Sequence, residues 1–183
     1  MRIISGSKKG LKLASVKNSP IRPTTDRFRE VIFNVIDNRF RNKPVLDIFA
    51  GSGSLGIEAL SRGAARAIFI ENNSRALSII KKNLTLSNFE ERAEIVKVSA
   101  IRALKKLTSS NEKFYLIFAD PPYAETILQQ TIHIVDKNEL LAEEGWLIVE
   151  HASKLNLNTQ IGSFILKVRK RQGESEVSFY RYA

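Results

Sequence analysis

The sequence predicts an α/β protein with a mostly parallel, Rossmann-like sheet that ends in an antiparallel hairpin. From residue 44 onward, near-continuous apolar runs alternate with segments of helical pattern. Such runs are typical of parallel strands covered by helices on both faces. The last two apolar runs differ, because only a short turn around Gln172-Gly173 separates them, as in an antiparallel hairpin.

The predicted strands and helices alternate along the chain, and turn residues or a change of pattern bound each of them. The first helix of the series stops at Gly63, a residue type common just after helix ends. In order, the predicted elements are strand 45–49, helix 55–62, strand 67–71, helix 74–86, strand 94–98, helix 101–107, strand 115–119, helix 125–141, strand 145–150 and hairpin strands 164–171 and 176–182.

Residues 1–43 are predicted to form a small basic extension of a main domain, residues 44–183. The extension is expected to contain a hairpin over residues 2–13 and a helix over residues 26–39, preceded by capping threonines. It holds eleven Lys/Arg against three acidic residues, whereas residues 44–153 hold twelve against fourteen. A basic excess confined to the ends of the chain indicates a face that binds a polyanion such as nucleic acid.

The composition excludes several classes of protein. The 183 residues, of which 43% are hydrophobic, suit one globular domain, and the absence of cysteine excludes disulfides and thiolate metal sites. No apolar run approaches the roughly 20 residues of a membrane helix, and the first residues lack the apolar core of a signal peptide. We therefore expect a cytoplasmic protein with no membrane or metal partner.

A glycine-rich segment, Gly51-Ser52-Gly53-Ser54-Leu55-Gly56, follows the first predicted strand and opens a helix. Glycines at this spacing let a nucleotide-like cofactor approach the backbone, and Glu71 at the end of the next strand can accept hydrogen bonds from ribose hydroxyls. NAD remains one candidate on this pattern. Asp47 favours S-adenosylmethionine, because a carboxylate before the glycines suits a cationic amino acid better than a pyrophosphate. We interpret Glu58 as a surface or packing residue only.

The tetrapeptide Asp120-Pro121-Pro122-Tyr123 directly follows an apolar strand. The prolines restrict the backbone, so the Asp120 carboxylate and the Pro121 carbonyl can be held to accept hydrogen bonds from an exocyclic amine of a base. Tyr123 can stack on a base that has left its helix. The motif therefore indicates methyl transfer to an exocyclic nitrogen of adenine or guanine, with much of the rate coming from positioning.

The chain resembles the RsmD family, the bacterial small-subunit rRNA guanine-N2 methyltransferases. Four segments carry the resemblance, spread along the chain. They are residues 1–10, which begin Met-Arg-Ile-Ile-Ser-Gly; residues 22–34, which begin Arg-Pro-Thr-Thr-Asp-Arg; the cofactor segment 46–64; and residues 118–123 with Asp-Pro-Pro-Tyr. The last two segments recur in related amino-methyltransferases, and the first two narrow the family.

The resemblance implies a class I S-adenosylmethionine-dependent methyltransferase that acts on N2 of one guanine in 16S rRNA of the small ribosomal subunit or its assembly intermediate. We expect a monomer. Asp120, Pro121, Pro122 and Tyr123 are the implied catalytic residues. The implied cofactor-binding residues are Asp47, Phe49, Ala50, Gly51, Ser52, Gly53, Glu71, Asn72, Ser99 and Ala100. Ser99 stands where the family often has Asp or Asn. The predicted RNA-binding residues are Lys8, Lys9, Lys12, Arg22, Thr24 and Arg29.

Two other functions remain open on the sequence. Asp-Pro-Pro-Tyr also suits an adenine-N6 methyltransferase acting on DNA or rRNA. With only about 43 residues outside the main domain, however, the chain has little room to recognise a DNA site. A non-catalytic ribosome assembly factor with the same fold is the other alternative, and the intact cofactor and Asp-Pro-Pro-Tyr segments argue against it.

Overall fold

A computed structural model describes residues 1–15, 26–108, 111–121 and 125–183, and these form one α/β unit. The helices are α1 Asp26–Val35, α2 Ser54–Ser61, α3 Ser74–Ser87, α4 Ala100–Leu107 and α5 Glu125–Lys137. The strands are β1 Pro44–Ile48, β2 Arg66–Ile70, β3 Ala93–Val96, β4 Phe114–Ala119, β5 Leu141–Ala152, β6 Gln160–Ile161, β7 Phe164–Gln172 and β8 Ser175–Tyr182. Short 3-10 helices cover Asn38–Phe40 and Glu90–Arg92.

The eight strands form one sheet in the order β3-β2-β1-β4-β5-β8-β7-β6. The pairs β2–β3, β1–β2, β1–β4 and β4–β5 are parallel, and β5–β8, β7–β8 and β6–β7 are antiparallel. The predicted α/β class and closing hairpin are thus confirmed. The order reverses between β1 and β4, and ligands of open α/β sheets bind in the crevice beyond the strand ends at such a point.

Apolar residues alternate between the two faces of the sheet and form one cluster on each face. Val45 of β1 packs in the cluster that contains residues of α1, α2 and α3. Leu46 packs in the other cluster, with residues of α4 and α5. This alternation follows from the two-residue period of a strand, and helices cover both faces as the apolar runs predicted.

Two helix ends and two strands differ most from the prediction, one of the strands being β5, which spans Leu141–Ala152 instead of residues 145–150. The first helix ends at Val35 instead of residue 39, because the Asp37 side chain accepts a hydrogen bond from the Arg39 N–H and starts a 3-10 turn. Helix α5 ends at Lys137 instead of residue 141, and the positive φ of Glu139 marks the turn into β5. The two-residue strand β6 was not predicted.

The N-terminal segment 1–15 is the predicted hairpin, and it packs on the rest of the α/β unit. Arg2 and Lys12 form an antiparallel bridge. Ile3 and Leu13 belong to the same apolar cluster as Phe118 of β4, so the segment shares the core of the sheet. None of the helices among the described residues is long and apolar enough to span a membrane.

Candidate active site

The candidate active site lies where β1 and β4 end, on either side of the crevice. Asp47 of β1 pairs in register with Phe118 of β4, and Asp120 follows β4 directly. The glycine-rich turn after β1 leads into α2, which begins at Ser54. The structure therefore brings the predicted cofactor segment and the predicted catalytic carboxylate to the same edge of the sheet.

The turn between β1 and α2 has an unusual backbone. Phe49, Gly51 and Gly53 all have positive φ, at 64°, 56° and 76°. A bulky residue such as Phe49 rarely adopts this conformation, which is typical of backbone held for a function. Gly56 is required for a different reason, because an added Cβ would overlap the Phe69 ring. Helix α2 thus packs closely against β2, with the Phe69 ring in the space that a side chain at position 56 would need.

Asp47 lies beneath the turn and is only 2% exposed. Its Oδ2 accepts a hydrogen bond from the Gly56 N–H at 2.9 Å. Burial raises the pKa of Asp47 to about 8, and the neighbouring Glu71 carboxylate adds to the increase, while the Gly56 hydrogen bond opposes it. A buried carboxylate of this kind is stabilised by an approaching cation, so Asp47 suits the ammonium group of an amino acid.

Glu71 joins the cofactor turn to the turn after β2. Its Oε2 accepts from the Gly51 N–H at 2.9 Å, and its Oε1 accepts from the N–H groups of Asn72 and Asn73 at 2.8 Å. Each carboxylate oxygen can accept more than one hydrogen bond. Glu71 therefore orders both turns and can still accept from ribose hydroxyls.

The remaining predicted cofactor residues lie on neighbouring turns. Asn72 is exposed after β2, and Ser99 is exposed at the N-cap position of α4, where its hydroxyl forms no capping hydrogen bond. Ala50 and Ala100 are buried, and Ser52 is half-buried. The hydroxyl of Ser99 is thus not used within its own helix.

Asp120 is half-buried at the mouth of the crevice, next to Pro121. Burial raises its pKa well above the usual carboxyl range, and the carboxylates of Glu150 and Asp47 add to the increase. Glu150 follows Val149, which pairs with Ala119, so it is the next residue along β5 beside Asp120. The sequence analysis missed Glu150, although its place at the end of the fifth apolar run was a signal. Pro122 and Tyr123 lie outside the described residues.

The predicted RNA-binding residues divide into two groups. Lys9 and Lys12 are exposed, and Lys8 is partly exposed with its Nζ 6.0 Å from the centre of the Phe89 ring. Arg29, in contrast, is only 1% exposed, and its guanidinium donates to the Arg2 carbonyl at 2.6 Å and to Asp26 at 2.8 Å. The prediction that Arg29 contacts RNA is therefore corrected, because its buried side chain holds the N-terminal hairpin. Arg22 and Thr24 lie outside the described residues.

Two buried polar side chains that the sequence analysis did not single out as functional connect the hairpin to the site. Glu58 is 1% exposed and accepts from the Ile4 and Ser5 N–H groups at 2.8 and 3.0 Å. Asn83 of α3 exchanges two hydrogen bonds with Ala14 and donates a third to the Ser52 carbonyl in the cofactor turn. Glu58 is thus more than a packing residue, and Asn83 joins the hairpin to the turn.

The chain is similar to known proteins over nearly its whole length. The model of the family described as "Conserved hypothetical protein 95" matches residues 1–181. The matched range includes all four segments that carry the resemblance, residues 1–10, 22–34, 46–64 and 118–123. The chain belongs to the RsmD family.

Relatives of this RsmD-family chain cover nearly all of it. YlbH of Bacillus subtilis, named as a candidate rRNA methyltransferase, is 38% identical over 181 residues, which are 99% of this chain and 98% of YlbH. The ribosomal RNA small subunit methyltransferase D of Escherichia coli K12 is 34% identical and covers 99% of this chain and 89% of its own length.

Solved structures agree with this family assignment. An Escherichia coli protein described as a candidate methyltransferase, yhhF, superposes with a TM-score of 0.85 at 33% identity, covering 100% of this chain and 97% of that chain. Precorrin-6y C5,15-methyltransferase from Geobacter metallireducens has a TM-score of 0.71 at 20% identity, and 93% of each chain is covered. The RsmD-family fold of this chain is therefore that of class I methyltransferases.

Proposed function

We propose that the chain transfers the methyl group of S-adenosylmethionine to the exocyclic N2 amine of a guanine in 16S rRNA of the small ribosomal subunit. One observation carries the proposal: Asp120 lies at the end of β4, directly across the crevice from the glycine turn after β1. The relatives named as small-subunit rRNA methyltransferases support the rRNA substrate. Residues 1–43, with their basic excess, form the RNA side in this proposal, and residues 44–183 the catalytic side.

The residues around the turn fit the cofactor. Asp47 suits the ammonium group, Glu71 the ribose hydroxyls, and Ser99 the adenine amine, because its hydroxyl forms no capping bond. When bound, S-adenosylmethionine supplies an electrophilic methyl group on a sulfonium. The positive φ of Phe49 and Gly53 turns the backbone so that the cofactor can approach it closely. Asp47 is buried before the cofactor arrives, so it has no water shell to lose at that moment.

Asp120 acts on the amine. The lone pair of an exocyclic amine is delocalised into the base, so the amine is a weak nucleophile. An ionised Asp120 that accepts a hydrogen bond from the amine N–H favours a pyramidal nitrogen, whose lone pair can point at the methyl group. The Pro121 carbonyl is the second proposed acceptor. Stacking of the base on Tyr123 stays a prediction, because residues 122–124 are outside the described structure.

The first experiment measures transfer of labelled methyl from S-adenosylmethionine to small ribosomal subunits that lack the modification. Naked rRNA and duplex DNA are assayed alongside, and digested products are analysed as nucleosides. N2-methylguanosine from subunits or rRNA is the expected product. N6-methyladenine would instead support the adenine alternative. Absence of transfer by a protein that binds the cofactor would support the assembly-factor alternative.

A further inference from the structure

A groove of about 470 Å³ lies at the edge of the sheet opposite to the candidate active site. The described residues that line it come before β1, at the end of α2, before β3 and at the tip of the N-terminal hairpin. They are Gly6, Ser7, Arg41, Asn42, Leu60, Ser61, Arg62, Gly63 and Arg92. We call this cavity the lower-edge groove. Strand β1 separates it from the cofactor turn, and five residues of strand span about 16 Å.

Three arginines converge on the lower-edge groove, and none of its described lining residues is acidic. Arg62 pairs at 2.7 Å with the buried Glu58. Within the described residues, Arg92 donates to backbone carbonyls, among them that of Leu60, and these carry no net charge. Arg41 is exposed and forms no ion pair with any residue in the described part of the chain. The groove therefore carries an excess of positive charge.

Aromatic contacts hold this charge in place. The Arg92 guanidinium carbon lies 5.2 Å from the centre of the Phe89 ring, and the Lys8 Nζ lies 6.0 Å from the same ring. Arg62 lies 4.6 Å from the centre of the Phe33 ring. Cations brought together in this way repel one another, and a bound anion relieves that repulsion. The arrangement is thus suited to an anionic ligand.

We propose that the lower-edge groove binds a phosphate of the RNA backbone, several nucleotides away from the methylated base. This inference rests on the proposed function, since it takes RNA as the partner. A phosphate contact positions RNA on the protein without reading its sequence. With the target base at the opposite edge, a second contact at the groove fixes the direction in which the RNA crosses the N-terminal hairpin. It thereby supplies part of the specificity that a separate recognition domain would otherwise provide.

The test reverses the charge of Arg41, which is exposed and lies outside the candidate active site. The matched control is Lys105→Glu, which changes another exposed cation on α4, a helix that packs on the other face of the sheet. For Arg41→Glu we expect binding to the small-subunit rRNA to weaken by about tenfold and the salt slope of log K to fall by about 1. The KM for RNA should rise while kcat and cofactor affinity stay unchanged. Lys105→Glu should change none of these.

The outcomes separate the groove from the proposed function. If the wild type methylates rRNA and Arg41→Glu binds RNA as well as Lys105→Glu does, the groove assignment is overturned and the proposed function stands. If the wild type neither binds nor methylates rRNA, both are overturned. Thermal unfolding checks that Arg41→Glu is folded. If Arg41→Glu is unfolded, Arg41→Gln replaces it, and its RNA affinity is compared with that of the control after the loss of one positive charge.

Discussion

Three carboxylates converge where β1, β4 and β5 end: Asp47, Asp120 and Glu150. Burial, with neighbouring carboxylates adding to its effect, raises the pKa of Asp47 and of Asp120, so these two bind protons more readily than exposed carboxylates do. This arrangement opposes the stability of the ligand-free protein at neutral pH. It is consistent with a site that receives a cationic cofactor and an amine, because each new partner offsets part of the repulsion.

For Asp120 we expect a pH-dependent role in transfer. Burial and the two neighbouring carboxylates raise its pKa, so its ionised form appears at higher pH than that of an ordinary Asp. The kcat for methyl transfer should therefore rise with pH above the usual carboxyl range. Asp120→Ala should lower kcat by about a hundredfold or more, with cofactor affinity changed only a few-fold.

Asp120→Asn is the matched variant, because it keeps an acceptor oxygen but does not ionise. It should retain part of the activity and lose this pH dependence. Loss of cofactor binding in Asp120→Ala, measured by calorimetry, would show that Asp120 does not act on the target amine.

Asp47 should make the ligand-free protein less stable as pH rises. Its pKa is about 8 when folded and about 3.9 when unfolded. The folded state therefore holds more protons between these values, and stability falls as pH rises through that window. Asp47→Asn should raise the ligand-free Tm above that of the wild type at pH 8 and leave no difference near pH 4. Its cofactor affinity should fall at least about tenfold, since the ammonium loses its partner.

Thermal unfolding from pH 4 to 8 measures this effect. The control is Glu143→Gln, which removes an exposed carboxylate on β5. An equal Tm difference at pH 4 and pH 8 for Asp47→Asn would contradict the raised pKa.

At the scale of elements, the N-terminal hairpin lies along α2 from one end to the other. The Met1 Sδ lies 3.7 Å from the Ser52 hydroxyl at the cofactor turn. At the other end of α2, Ser61 accepts from the Lys8 N–H and donates to the Ser5 carbonyl. An eight-residue helix is about 12 Å long, so the hairpin bridges the active-site edge and the lower edge of the sheet.

A substitution at Gly6 tests whether contact with the end of α2 holds the N-terminal hairpin in place. An added Cβ at Gly6 would overlap the backbone carbonyl of Ser61, whereas one at Gly10 meets nothing within 4 Å, and both glycines have nearly the same positive φ. Gly6→Ala should therefore detach the hairpin, and Gly10→Ala should cost only the backbone strain common to both, about 1 kcal/mol. Limited proteolysis should cleave residues 1–15 much faster in Gly6→Ala than in Gly10→Ala. Equal cleavage of the two variants would show that the hairpin is not held by this contact.

At the scale of the whole molecule, positive charge is distributed unevenly. The net charge is +10, and residues 1–43 carry eleven of the 29 basic residues against three of the 19 acidic ones. In the fold, the described parts of this segment, residues 1–15 and 26–43, lie on the face that holds α2 and α3. We therefore expect RNA to bind across this face, with affinity that depends strongly on salt.

Lys8 and Lys9 at the hairpin tip should contribute to this affinity. Lys8/Lys9→Ala should weaken rRNA binding and lower the salt slope by about 1 to 2, because up to two phosphate contacts are lost. Binding titrations at several salt concentrations measure the slope. The control is Lys105/Lys106→Ala on α4, which also removes two exposed lysines. An unchanged slope in Lys8/Lys9→Ala would remove the hairpin tip from the RNA interface.

Individual elements show which parts of the fold could be predicted from the sequence and which could not. Strand β1, the cofactor turn and Asp120 were located correctly, because apolar runs, glycines and prolines act on the backbone close to themselves. The predicted ends of α1 and α5 were wrong, because turns at Asp37 and Glu139 stop the helices before the helical pattern of the sequence ends. Strand β5 is twice as long as predicted because it pairs with both β4 and β8. Pairing with strands that are distant in the chain leaves no local pattern in the sequence.

The fold class, the position of the glycine-rich turn, the candidate catalytic carboxylate and the basic character of residues 1–43 could all be predicted from the sequence alone. The three-dimensional structure was needed to see that Arg29 and Glu58 are buried and that Glu150 lies beside Asp120. It was also needed to see that Arg41, Arg62 and Arg92 share one groove. The physical reason is that burial and charge pairing depend on residues far apart in the chain. Backbone preference, in contrast, is a property of each residue and its immediate neighbours.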